Sequence, residues 1–402
     1  MKTILFNLTG AELEKFVTDL GQPRFRAKQI SEWLSRGAPD FSVMKNLPEK
    51  LRSDLDACAE TLPVKIVKKL QSSDGQTTKF LLELCDAEQI ECVLMRTSYG
   101  DSVCVSSQAG CAMGCKFCAS TLLGLKRDLT VNEIFAQILV AQWELRNDKF
   151  SEKSIRANGD ANNDDVSHIV IMGTGEPLQN VQNVIGFMER ANGEMGIGWR
   201  RITVSTCGIV PGIHELIEWG RPINLAISLH APNDELRRQI MPIANKYSIA
   251  EIMDAAWKFT DLHNRQLMIE YLLVCDADGN LLNATPECAE ELSDLVRGKN
   301  CMVNLIPWNT VAEREFTAPS GNAVHRFQDV LIKNGIHARI RRERGTDIGS
   351  ACGQLRIKGM QFFVILILIR VSYSQHWTCS SPSMQTSSRV FGVVAKALWW
   401  SS

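Results

Sequence analysis

The run Gly110-Cys-Ala-Met-Gly-Cys-Lys-Phe-Cys-Ala119 constrains this chain more than any other stretch. It sets Cys111, Cys115 and Cys118 in a C-x3-C-x2-C spacing directly after a strand-like segment. Three thiolates in one tight loop can hold a metal or an iron–sulfur cluster. A structural zinc site takes four protein ligands and closes itself, whereas a four-iron cube on three cysteines keeps one iron open to a small molecule. The loop therefore asks for a fold that presents it beside a pocket. Zinc with a distant fourth ligand, or a chance cluster, is the alternative the spacing leaves open.

The rest of the chain supplies such a fold. With 402 residues, 45% of them hydrophobic, it can bury a large core in one or two domains. Residues 1–62 read as a small helical module: Thr9-Gly-Ala-Glu12 is a capping box, Pro23 opens a second helix, and a third runs from about Pro48 to Cys58. Residues 63–100 read as a short antiparallel sheet of Val64–Leu70, Thr78–Cys85 and Gln89–Met95, with a turn at Ser72-Ser-Asp-Gly75. From residue 101 the rhythm becomes strand–helix alternation. Strands are expected at 103–106, 168–172, 201–205, 223–229, 267–274 and 301–306. Amphipathic helices lie between them, the first capped by Thr130-Val-Asn-Glu133. Such repetition gives a parallel sheet with right-handed crossovers, here a partial (β/α)6 barrel over residues 101–355. Its chemistry belongs at the C-terminal ends of the strands, where the cysteine loop falls.

Residues 151–167 are polar and read as a surface insertion, and 356–402 read as an atypical tail with an apolar block, a Ser-rich stretch and Trp399-Trp400. The apolar block Phe362–Ile369 is too short to span a membrane. The N-terminus is acidic too early for a secretory signal, so the 13 cysteines are expected in a reducing cytoplasm, serving metals and chemistry rather than staples. A net charge of −1 excludes a global basic field, leaving RNA contact to local patches. Candidates are Lys126-Arg127, Arg200-Arg201, Arg237-Arg238 and Arg339 to Arg344, with Arg24, Arg26, Lys28, Lys45 and Lys50 in the N-terminal module.

Other polar motifs cluster at expected strand ends. Gly173-Thr-Gly-Glu-Pro177 follows the second strand; its glycines allow close backbone approach, and Glu176 can accept from an ammonium. Ser205-Thr-Cys-Gly208, Ser228-Leu-His-Ala-Pro232 and Asn309 follow later strands. Singly each is a loop-stabilising residue; together they outline a site.

C-x3-C-x-Phe-C at the head of a partial barrel resembles the radical S-adenosylmethionine enzymes, and the remaining motifs resemble the RlmN/Cfr family of RNA methyltransferases over about residues 1–355. The resemblance implies a [4Fe–4S] cluster on Cys111, Cys115 and Cys118, with Phe117 as a hydrophobic shield. It implies S-adenosylmethionine, two per turnover, held at Gly175, Glu176, Ser205, Ser228, Leu229, His230 and Asn309. GTGEP departs in one residue from the more familiar Gly-Met-Gly-Glu-Pro. The implied activity is methylation of adenine C2 in 23S rRNA and at adenosine 37 of some tRNAs. Cys352 would carry the methyl group, Cys104 would resolve the adduct, and Glu91 would be the base. Read as residues alone, both cysteines are small buried hydrophobes. An electron donor such as flavodoxin with its reductase, a monomeric state and no membrane complete the implied picture. A C8-methylating sibling and a non-catalytic iron–sulfur or zinc RNA-binding protein are the alternatives.

Overall fold

A computed structural model describes residues 2–147, 165–309, 311, 313–341 and 345–348. The polar segment up to Asp164, Arg342, Arg344, Cys352 and the tail lie outside the described residues.

Strand β1 (Thr3–Ile4) pairs in parallel with β2 (Ala59–Glu60), tying together the ends of a segment that holds helices α1 (Gly10–Asp19), α2 (Phe25–Ser35) and α3 (Glu49–Cys58). The Thr9 capping box forms as expected. These helices share one core with the barrel: Phe6 stacks on Phe135 at 6.1 Å and Trp33 meets Trp143 at 6.4 Å.

The main sheet is built from β3 (Val64–Gln71), β4 (Thr77–Leu84), β5 (Gln89–Met95), β6 (Asp101–Cys104), β9 (Val166–Ile171), β10 (Ile202–Thr206), β11 (Asn224–Ser228), β12 (Leu267–Leu273), β13 (Cys301–Pro307) and β14 (Ala338–Ile340). They lie side by side in the order β14-β13-β12-β11-β10-β9-β6-β5-β4-β3. The strands from β6 to β14 run parallel, and β3–β5 antiparallel. Between the parallel strands come α4 (Val131–Asn147), α5 (Val181–Met195), α6 (Val210–Trp219), α7 (Asp234–Ile240), α8 (Ile249–His263), α9 (Pro286–Val296) and α10 (Gly321–Lys333). Each βαβ connection is long enough for the right-handed crossover that strand twist favours. A small ribbon, β7 (Gln108–Ala109) with β8 (Arg127–Asp128), closes the base of the cysteine loop.

Three expectations are corrected. The antiparallel strands are not a separate small sheet, because Val93, Leu94 and Met95 pair with Cys104, Val103 and Ser102, making one continuous sheet. A seventh parallel strand, β14, follows the six expected ones and pairs with β13. Val166 and Ser167, expected in the insertion, belong to β9.

Strand alternation sorts the sheet into two faces. Phe80, Leu82, Ile90, Cys92, Leu94, Val103, Val105, Ile169, Val204, Ile227, Ile269 and Val303 enter the core shared with the helices. The other face carries Lys79, Glu91, Cys104, Ser205, Ser228, Glu270 and Asn304, a polar lining that a simple hydrophobic core would not tolerate.

Candidate active site

The cysteine loop is anchored from several directions. Gly110 has φ +87°, and a Cβ there would lie 1.9 Å from the Gly124 carbonyl, so only glycine fits. The Cys111 N–H donates to Gly124 O, and the Thr121 hydroxyl donates to the carbonyls of Cys115 and Cys118. Arg314 Nη2 donates to Cys118 O at 2.6 Å, and Trp308 Nε1 to Phe117 O at 3.3 Å. The Trp308 bond draws the loop carrying Asn309 against the cysteines. Cys111 and Cys115 are buried with Met113, Cys207, Ala231, Ile240 and Met241, and Cys118 and Phe117 pack on them.

The three thiols sense one another. Burial pushes the Cys111 thiol up to about 12, with Cys118 adding to the rise. Burial raises Cys115 further, and Cys118 and Cys111 again add to it. A set of neutral thiols this close to their own repulsion suits a cationic iron core that would take them as thiolates. Among the described residues, no three His, Cys, Asp or Glu side chains converge on a single-ion site.

The Gly173-Thr-Gly-Glu-Pro177 turn is stitched to the segment leading into that loop. Thr174 N–H donates to Ser106 Oγ, and Thr174 O accepts from the N–H groups of Ser107 and Gln108. A Cβ on Gly173 would meet Ser106 N at 2.7 Å, and one on Gly175 would meet Gln108 Cβ at 2.6 Å. Glu176 is buried; one carboxylate oxygen accepts from Thr206 Oγ1 at 2.6 Å and Leu178 N–H at 3.0 Å, the other from Cys207 N–H at 2.8 Å. Burial raises its pKa against these hydrogen bonds. The carboxylate thus ties the turn after β9 to the end of β10, while the Glu176 N–H donates to Gln108 Oε1 and its carbonyl accepts from Gln179 N–H.

Ser205 and Ser228 stand on neighbouring strands with their hydroxyls 3.3 Å apart. Leu229 N–H donates to Glu270 O. His230 adopts a left-handed φ of 60°, its Nδ1 accepts from Leu272 N–H at 3.0 Å, and its ring meets Phe117 edge-on at 5.0 Å. Burial, aided by Arg237, pushes His230 down to about 3, so it stays neutral with the proton on Nε2. Gly175, Glu176, Ser205, Ser228, Leu229, His230 and Asn309 all lie in or just beyond the strand ends flanking the cysteine loop.

A second group faces the same interior. Cys104 is directly opposite Val93, and Glu91 lies two residues from Val93, on the same face. Glu91 forms a 2.9 Å ion pair with Lys79, and both side chains are buried. Burial pushes the Cys104 thiol up to about 11, partly offset by Arg341 and Lys79.

Several site residues escape sequence reading. Lys79, Trp308 and Arg314 have no motif. Arg237, expected on an RNA-facing surface, is fully buried beneath the strand ends, so that patch is corrected to Arg238 alone. Arg127 is half-buried and engaged by Asp86 and Glu133. Lys126, Arg200, Arg201, Arg339 and Arg341 are exposed. Among the described residues, no helix is long and apolar enough to cross a membrane.

Comparison with known proteins places this geometry. A model of the ribosomal RNA large subunit methyltransferase N-terminal domain matches residues 3–61, and the radical SAM superfamily model matches residues 105–275. The chain is 46% identical over 358 residues to a Clostridium acetobutylicum protein named "Probable dual-specificity RNA methyltransferase RlmN", covering 89% of this chain and 97% of that one. A protein of the same name from Alkaliphilus oremlandii is 44% identical, covering 90% and 99%. The crystal structure of a radical SAM methyltransferase from Sphaerobacter thermophilus superposes with a TM-score of 0.73 at 40% identity, covering 88% of this chain and 98% of that one. Identity of this order over about nine-tenths of the chain, with family models matching both the N-terminal helices and the barrel, settles the kinship: the chain belongs to the RlmN family of radical S-adenosylmethionine RNA methyltransferases.

Proposed function

We propose that this RNA methyltransferase acts in the cytoplasm on C2 of a specific adenosine in the peptidyl transferase centre of 23S rRNA and on adenosine 37 of a subset of tRNAs. As a radical S-adenosylmethionine enzyme it uses a [4Fe–4S] cluster and S-adenosylmethionine. Cys111, Cys115 and Cys118 hold the cluster, and Gly175, Glu176, Ser205, Ser228, Leu229, His230 and Asn309 hold S-adenosylmethionine. Two molecules are used per turnover, one for the methyl group and one for the radical.

The observation that carries the reading is the placement of Cys104 and Glu91 on one interior face, in a barrel whose strand ends bear the three-cysteine loop. Adenine C2 is electrophilic and resists direct transfer of a sulfonium methyl, but a carbon radical adds to it. When bound, the cluster supplies the electron that makes S-adenosylmethionine an oxidant of a methyl hydrogen. Cys352, outside the described residues, carries the methyl group on its sulfur; loss of a hydrogen atom from that methyl leaves a carbon radical that joins C2, and the unpaired electron of the adduct would pass to the oxidised cluster as the C2 proton leaves. Glu91 takes the C2 proton; the ion pair with Lys79 holds its carboxyl group in place for that task. Cys104 attacks the sulfur of Cys352. The S–S bond forms as the C–S bond breaks, and the electron pair left on carbon takes a proton to complete the methyl group. An external reductant, such as flavodoxin with its reductase, reduces the disulfide to two thiols and recharges the cluster. The target base must leave its stack to reach the interior.

The test is methylation of rRNA and tRNA by the full chain, reconstituted anaerobically, with digestion and mass spectrometry. The expected product is 2-methyladenosine, with 5′-deoxyadenosine formed alongside. Formation of 8-methyladenosine would move the assignment to the sibling chemistry. RNA binding without 5′-deoxyadenosine would make the protein a binder.

A further inference from the structure

Arg237 on α7 is the largest wholly buried side chain among the described residues, with an exposure of 0%. Its Nε donates to Leu229 O at 3.0 Å, and Nη2 donates to Cys207 O at 2.6 Å and Ser228 O at 3.4 Å. Every partner is a neutral carbonyl. Nη1 is buried and has no hydrogen-bond partner, and no described carboxylate lies within ion-pair distance of the guanidinium. A buried charge in this condition is costly, because water has been removed and Asp234 acts on it only from beyond ion-pair distance, alongside the Cys207 and Cys115 thiols. The surroundings indicate what is missing. Cys207, which accepts from Nη2, is packed in the same buried group as Cys111 and Cys115. The end of α7 reaches the cysteine loop as well: Ile240 O accepts from Lys116 N–H at 2.9 Å, and Ile240 and Met241 pack among the cysteines.

We propose that Arg237 is the built-in counter-charge for the cluster on the cysteine loop, and that it sets the cluster's reduction potential. A four-iron cube on three thiolates is anionic, and one more electron makes it more so. A fixed cation walled off from water favours the reduced form, and charge and hydrogen bonding near the sulfurs are established levers on such potentials. Arg237 is a positioning residue: it touches neither substrate nor the reacting carbon. The inference rests on cluster ligation by Cys111, Cys115 and Cys118.

The test uses the full chain, anaerobically reconstituted, as wild type, Arg237→Met and Arg237→Lys. Iron and sulfide are counted per chain, and the cluster is titrated against potential by electron paramagnetic resonance. At the potential where the wild-type cluster is half reduced, Arg237→Met should show a reduced-to-oxidised ratio about tenfold lower, equivalent to about 59 mV for one electron. Arg237→Lys keeps the charge but not the carbonyl fork, and its ratio should stay within about twofold of wild type, below the tenfold loss given by that constant. An Arg237→Met cluster titrating at the wild-type potential overturns the proposal. If Arg237→Met does not fold, a tenfold loss in Arg237→Lys overturns it, since charge would not be the operative property. If wild type itself takes up no four-iron cluster, the ligation reading falls first, and this inference with it.

Discussion

Lys79 and Glu91 meet diagonally across adjacent strands, Lys79 standing opposite Val93 and Glu91 opposite Leu81, with Nζ 2.9 Å from Oε2 and side chains 0% and 3% exposed. Such a pair is poor evidence of stability gained, because desolvation offsets most of the attraction. Removing one member is another matter. Lys79→Met removes a cationic partner from a buried carboxyl group and should cost about 3–5 kcal/mol in urea unfolding. Glu91→Gln keeps much of the hydrogen bonding and should cost less. It should nevertheless abolish RNA methylation while 5′-deoxyadenosine still forms. Wild-type turnover by Glu91→Gln would remove Glu91 from the role of base.

Cys104 should report its surroundings through pH. Its residue is half-buried, open toward the interior, yet burial lifts the thiol from 9.0 to about 11. The attacking species is the thiolate, so resolution of the Cys352 adduct should quicken about tenfold per pH unit up to that region. A flat profile between pH 7 and 9, followed by the decay of RNA-linked protein, would argue against Cys104 as the attacker. Cys104→Ala should leave RNA attached through Cys352. The sign for stability follows: a pKa raised in the folded state gives a contribution present below about 9.0 and lost as pH climbs through about 11. Cys104→Ala should lack that alkaline slope.

Most of this architecture is legible in the amino-acid sequence because its periodicities are clean. The six barrel strands and their helices fall within a few residues of expectation, and the capping boxes at Thr9 and Thr130 carry their own local signal. Strand β14 is not legible, since Ala338-Arg339-Ile340 is too short to show alternation. Nor is the joining of the antiparallel strands to the barrel, which depends on the edge chosen by Val93 to Met95. Chemistry follows the same rule. The cysteine spacing is local and can be read. The Lys79–Glu91 pair needs the β4–β5 register, and the burial of Arg237 needs the whole barrel, which is why Arg237-Arg238 reads as a surface pair.

His230 should remain neutral throughout the physiological range. Its Nδ1 accepts from Leu272 N–H, and burial depresses its pKa from 6.5 to about 3. Nuclear magnetic resonance should find one tautomer, protonated on Nε2, from pH 5 to 8. A depressed pKa gives stability that is present above about 6.5 and lost as pH falls toward 3. Asparagine tolerates the left-handed backbone found here, so His230→Asn should fold and lose part of this acid sensitivity. An imidazole that titrates near 6.5 in the folded protein would contradict the buried geometry.

Thr174 offers a gain rather than a loss. It is 1% exposed, its backbone is fully used by Ser106, Ser107 and Gln108, and its Oγ1 has no hydrogen-bond partner. A buried hydroxyl without a partner forfeits its hydration and receives nothing in return. Valine has the same branching and nearly the same volume, so Thr174→Val should preserve the turn that clamps the cysteine loop. Stability should rise by about 1–2 kcal/mol, the usual penalty of one unsatisfied buried polar group. Urea unfolding would register this as a higher midpoint at an unchanged slope. Cluster content should be unchanged, because the hydroxyl takes no part in holding Ser106 or Gln108. A destabilised Thr174→Val would mean instead that the hydroxyl bonds to a buried water or to a bound ligand, and the Gly-Thr-Gly-Glu-Pro turn would then belong to the binding surface through its side chain as well as its backbone.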